Sequence, residues 1–153
     1  VLPQQKIISI RGSKMTDAKE KKEIALNLSR AIMGGDWKQV DKLLADDFQY
    51  TGDGSMAINK QQYVGFMRGN LCSAMTDMDM DFLRVLVDGD LVAVDYTNKM
   101  THSGEFFGIP ATGKRVTATG QFMREVRNGE VYAEWQTTNA MGLVQQIKGD
   151  LQK

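Results

Sequence analysis

Apolar residues recur at helical spacing in the first part of the chain: Ile24, Leu28, Ala31 and Ile32 fall on one stripe, and Gly34-Gly35 ends the run. Thr16 or Asp17 stands where a cap is expected, with Glu20 and Glu23 near the positive end of that helix. Asp36 heads a short second helix whose Trp37, Val40, Leu43 and Leu44 share a face, and "DDFQY" then changes to alternation, with Phe48 and Tyr50 on one side of a strand. Asn59 caps a third helix striped by Tyr63, Phe66, Met67 and Leu71. Beyond residue 76 the period drops to two. "DMDMDFLRVLV", the turn Asp88-Gly89-Asp90 and "LVAVDYTNKMTH" read as a long antiparallel hairpin, and Asn128-Gly129 marks a second one between "KRVTATGQFMREV" and "EVYAEWQTTN". A short helix from about Ala140 closes the pattern. Helices followed by hairpins predict an α+β fold with helices on one face of an antiparallel sheet. Residues 1–15 precede the first expected cap and are read as a tail or an extra strand, leaving residues 16–150 as a single domain without repeat or linker.

Alternation also predicts which side chains face inward. Along 91–102 the inward row is Val92, Val94, Tyr96, Asn98, Met100 and His102, with Asp95, Thr97 and Lys99 turned outward. Along 114–127 it is Val116, Ala118, Gly120, Phe122 and Val126, and along 130–139 it is Val131, Ala133, Trp135, Thr137 and Asn139. Each row starts apolar and gains polar groups along its length. A closed core has no use for such groups, since an unpaired one costs about 1–3 kcal/mol when buried. Apolar walls with a few convergent polar groups describe a small-molecule pocket. The competing reading is that the rows simply run out of the core into water.

Composition removes several classes of function. The 153 residues carry 19 basic and 19 acidic side chains without long blocks of either sign, which is no footprint for nucleic acid or an anionic membrane. No apolar run reaches the roughly 18 residues of a spanning helix, and the expectation is a cytoplasmic protein. One cysteine and one histidine cannot build a Cys/His zinc cluster, and Cys72, among Leu71, Ala74 and Met75, reads as an inert thiol. Gly108, Pro110 and Gly113 read as turn residues rather than a phosphate loop, because no strand, glycine loop and helix follow in order.

The order of helix, short helix, strand, helix and two long hairpins resembles the nuclear-transport-factor-two-like superfamily. Within it, "GGDWKQVDKLLADDFQY", "THSGEFFGIPATGKRV" and "NGEVYAEWQTTNAMGLVQQI" resemble the SnoaL-like polyketide cyclase branch, in order from about Lys21 to Ile147. The resemblance implies a conical, barrel-like α+β fold in which a curved mixed or antiparallel sheet packs on three N-terminal helices and encloses a pocket. It also implies a homodimer packed through sheet faces and an acid/base reaction on a small apolar molecule with neither metal nor other cofactor. Relatives such as ketosteroid isomerase and limonene epoxide hydrolase show that this fold fixes the place of a site and not its reaction.

The branch carries an aspartate acid/base in a pattern like "DIFRIEDG"; aligned without a gap on Gly129, Phe122 holds its place, with Gln121 beside it. A further acidic position of the branch is Asn139 here, which hydrogen-bonds but is no base. His102, with an ordinary pKa near 6.5, is then the expected acid/base, Asp95 the alternative base and Tyr96 a proton donor or oxyanion partner. Tyr50, a second such hydroxyl, joins Trp37, Phe66, Met100, Phe107, Phe122, Trp135 and Asn139 as expected substrate contacts. The expected activity is that of a cyclase, isomerase or hydrolase; the alternative is a ligand carrier on the same fold that has lost its acid/base residue.

Overall fold

A computed structural model describes the backbone of residues 2–149 and the side chains of residues 17–149. Helix α1 runs from Leu2 to Met33, so the stretch expected as a tail or extra strand continues this helix, and Thr16 and Asp17 lie inside it rather than at its cap. Pro3 falls in its first turn, where proline costs no hydrogen bond, and Gly12 in its interior costs about 1 kcal/mol relative to alanine. Gly35, at φ +68°, ends the helix; its amide and those of Gly34 and Asp36 fold back onto the carbonyls of Ile32, Arg30 and Ala31.

Helix α2 (Trp37–Leu43) starts under Asp36, whose side chain accepts from the Gln39 amide at 3.0 Å. Strand β1 (Leu44–Gly52) and the two-residue β2 (Ile58–Asn59) follow. Asn59 and Gln62 cap α3 (Lys60–Phe66) reciprocally, each side chain accepting from the other's amide at 2.9 Å. A π-helical turn at Met67–Leu71 and the short α4 (Cys72–Ala74) prolong it. The hairpins are β3 (Met75–Asp88) with β4 (Leu91–His102), and β5 (Arg115–Arg127) with β6 (Glu130–Thr138); helix α5 (Ala140–Lys148) comes last.

The six strands form one mixed sheet in the order β2-β1-β6-β5-β4-β3, antiparallel throughout except where β1 runs parallel to β6. The sheet does not close; it curves round α1, α2 and α3 as a cone. The main core joins Leu28 and Ile32 of α1, Val40 of α2, Phe48 of β1 and Tyr63 of α3 to the inner rows of β4 and β5. A second core, at the other end, packs Leu143 and Ile147 of α5 on Met75, Met100 and Val116.

Those inner rows are the expected ones on β4 and β5. Val92, Val94, Tyr96, Asn98, Met100 and His102 are all buried, as are Val116, Ala118, Phe122 and Val126. On β6 the expected row holds at Val131, which is fully buried, and inverts beyond it. Val126 pairs with Val131 but Glu125 pairs with Ala133, so Tyr132 is an extra residue in the ladder. The bulge moves every later side chain to the opposite face. Glu134, Gln136 and Thr138 point inward, while Trp135 and Thr137 point out.

Candidate functional site

A cavity of about 190 Å³ lies between the inner face of the sheet, the π-helical turn after α3 and the start of α5. Phe66, Met67, Leu71, Met80, Met100 and Leu143 supply apolar wall, and Phe106 and Phe107 close one side. Its polar groups converge from three strands: Tyr50 of β1, Tyr96 and Asn98 of β4, and Gln136 and Thr138 of β6, with Asp53 at the rim.

Four of these groups form one hydrogen-bonded chain. Tyr50 donates its hydroxyl to Gln136 Oε1 at 3.3 Å, and Gln136 Nε2 donates to the Tyr96 oxygen at 2.7 Å. Tyr96 lies 3.1 Å from Thr138 Oγ1, and the Thr138 amide donates to Asp53 Oδ1 at 3.1 Å. The carboxamide thus fixes both phenols, leaving the Tyr96 proton free to point at Thr138 or at a bound oxygen. Opposite Tyr96, a Cβ at Gly120 would overlap the phenol and the Thr137 carbonyl, so only glycine leaves room for the ring. Burial pushes the Tyr96 pKa up, against the pull of its bonds to Thr138 and Gln136; burial likewise raises Tyr50, with the charges of Glu134 and Asp53 adding to it. Both phenols therefore act at neutral pH as donors and not as bases.

Beneath this chain the cavity continues into a recess of about 50 Å³, the two spaces sharing Met67, Leu71, Met80, Asn98 and Gln136 as walls. The recess ends on a buried ion pair in which Arg124 Nε donates to Glu134 Oε2 at 2.7 Å, with side chains 3% and 1% exposed. Arg124 also donates to Ser29 Oγ at 2.8 Å and to the Ala25 carbonyl, tying β5 to α1, and its guanidinium stacks 4.0 Å from the Phe122 ring centre. Tyr63 donates to the same Glu134 oxygen at 3.4 Å, and burial holds its own pKa well above the ordinary value.

Several expected site residues stand elsewhere. His102 faces inward but does not border the cavity: the segment after β4 folds back over it, and its imidazole is fully buried. Nδ1 lies 2.9 Å from Thr112 Oγ1 and accepts from the Thr112 amide at 3.3 Å, while the Phe106 ring stands edge-on to it. An Nδ1 that accepts from an amide places the ring proton on Nε2, which has no partner. The histidine thus pins the returning loop. Asp95 sits on the outer face, held by Arg84 Nε at 2.8 Å and by Gln121 Nε2 at 3.4 Å, across the sheet from the cavity. Trp135 is on that outer face too, 43% exposed. Trp37 packs on the main core beside Arg68, and Asn139 caps α5 by accepting from the Gly142 amide at 2.9 Å. The cavity does gather Tyr50, Phe66, Tyr96, Met100 and Phe107, and Phe122 borders the recess.

Asp53, Gln136 and Thr138 were not expected. Asp53 and Gly54 form a turn after β1, at φ +50° and +71°. The two β6 residues were hidden by the bulge. A wider groove of about 570 Å³ crosses the outer face between Arg84, Leu86, Asp95, Gln121 and Trp135, but it is open to solvent. Among the described residues no cluster of three or more His, Cys, Asp or Glu could hold a metal ion, and no helix is long and apolar enough to cross a membrane. Burial raises the pKa of the Cys72 thiol, which keeps it protonated.

None of the curated proteins matches the chain in sequence. Solved structures match it closely in fold. AclR, a proposed hydroxylase from Streptomyces galilaeus, has a TM-score of 0.78 at 24% identity, over 86% of this chain and 97% of its own. IdmH, a proposed polyketide cyclase from Streptomyces antibioticus, has a TM-score of 0.76 at 23% identity, over 84% and 99%. An LEH-like epoxide hydrolase from M. tuberculosis has a TM-score of 0.68 at 16% identity, over 86% and 92%. At these identities the likeness is one of fold, and the three names span different reactions. The sequence profile is more specific: it matches residues 22–147, from the middle of α1 through the strands that line the cavity to the last turn of α5, and the chain belongs to the SnoaL-like polyketide cyclase family.

Proposed function

We propose that the chain is a cofactor-free enzyme that moves a proton on a small, largely apolar carbonyl compound held in the inner cavity. The observation that carries this reading is the Tyr50–Gln136–Tyr96–Thr138 chain, a set of fixed donors inside apolar walls. Tyr96 hydrogen-bonds the carbonyl oxygen and stabilises the negative charge that develops there when an adjacent C–H ionises. Donors fixed in place and shielded from water do this at no cost of reorganisation. Asp53 takes the proton at the rim, oriented by the Thr138 amide. Cyclisation, isomerisation and dehydration of such compounds all begin with this step, which agrees with membership of a cyclase family.

The test is incorporation of solvent deuterium α to the carbonyl of 2-tetralone, followed by NMR. The wild type accelerates exchange, Tyr96→Phe and Asp53→Asn each slow it by about 100-fold or more, and both variants remain folded by circular dichroism. Exchange no faster than in buffer sinks the reading and leaves a ligand carrier. The assembly that fits the outer face is a homodimer: Leu86 (71% exposed), Trp135, Leu83 and Leu91 lie bare around the Arg84–Asp95 pair.

A further inference from the structure

We infer that the recess beside Asn98 is a specificity subsite that takes a neutral hydrogen-bond donor of the ligand, a hydroxyl or N–H group. Asn98 is 4% exposed, and its Oδ1 is buried without a partner. It stands between the cavity and the recess, on the same inward row as Tyr96 and two residues along, about 7 Å away in Cα position. A buried acceptor left unpaired costs about 1–3 kcal/mol, so a ligand that pairs it gains what one lacking the group forfeits.

Charge narrows the choice. Arg124 and Glu134 at the end of the recess neutralise each other, and each is already bonded, so an ion placed there would meet no unpaired opposite charge. Asn98 Oδ1 needs a proton from the ligand, while the amide Nδ2 can donate to that same group, so a hydroxyl satisfies the carboxamide and an ether does not. Leu71, Met67 and Met80 around it leave space for a single small substituent. This inference rests on the cavity being the substrate site.

The experiment measures binding of 2-tetralone, its ring-hydroxylated isomers and the methyl ethers of those isomers, by calorimetry on the wild-type protein. One hydroxy isomer binds about tenfold or more tightly than 2-tetralone, and its methyl ether, which cannot donate, does not share the gain. In Asn98→Leu the ratio of hydroxy isomer to parent falls towards one. Equal binding of parent and every hydroxy isomer overturns the inference, as does a methyl ether as tight as the phenol, or a ratio that persists in Asn98→Leu. The two ether and phenol comparisons need only the wild type, so a misfolded variant does not shield the idea. If 2-tetralone exchanges deuterium but no hydroxyl adds affinity, only the subsite falls; if nothing binds or exchanges, the catalytic reading falls with it.

Discussion

Breaking the ion pair beneath the cavity by Arg124→Met removes a guanidinium that is 3% exposed and leaves Glu134, 1% exposed, with only the long 3.4 Å bond from Tyr63. A buried pair that loses one partner costs about 3–5 kcal/mol, chiefly for the charge left uncompensated. The Ser29 hydroxyl and Ala25 carbonyl lose their donor as well, which loosens α1 from β5. Against a total stability of about 5–15 kcal/mol for a domain, this removes about a fifth or more and lowers the melting temperature by roughly 10 °C. Removing both charges gives a different result. Arg124→Met combined with Glu134→Leu abolishes the stranded charge, so the double variant recovers most of the loss and lies within about 2 kcal/mol of wild type. Urea unfolding followed by circular dichroism on the wild type, both single variants and the double variant gives the coupling directly, expected at about 2 kcal/mol or more. Single variants that each lose under about 1 kcal/mol, or losses that simply add, would refute the account of a desolvated pair holding the sheet to α1.

Replacement of His102 by alanine is expected to cost about 2 kcal/mol or more in urea unfolding, because the Thr112 bonds and the packing on Phe106 go, while the folded fraction keeps its rate of deuterium exchange; loss of exchange at unchanged stability would restore the histidine as an acid/base. Raising the pH should also weaken the fold: the phenols of Tyr50, Tyr63 and Tyr96 titrate above their ordinary value of about 10 when folded, so the unfolded chain binds fewer protons past that pH and stability declines. Thermal melts from pH 8 to 11 show the decline, and Tyr63→Phe makes it shallower; a slope the same in both proteins contradicts the burial argument. On the outer face, Leu86→Glu is expected to convert a dimer to a monomer in sedimentation velocity, and a wild type that sediments as a monomer removes the proposed interface.

By itself the sequence determined the element order, the caps at Asp36 and Asn59, the turns at Gly35 and Asn128-Gly129, and the inward rows of β4 and β5. These are local matters: a cap or turn is written in two to four neighbouring residues, and unbroken alternation fixes a face. It likewise identified Tyr96, Tyr50 and Met100 as facing the cavity. The β6 row beyond Val131 was not legible, because the extra residue at Tyr132 is a property of the pairing between β5 and β6, and a single strand read alone shows only its alternation. Trp135 was therefore expected inside and Gln136, the residue that orients both phenols, was passed over. His102 shows the other limit. Parity placed it inward correctly, but facing inward and bordering a cavity are different things, and what decided between them was the return of residues 103–112 across its ring, a contact between segments that only the folded chain brings together.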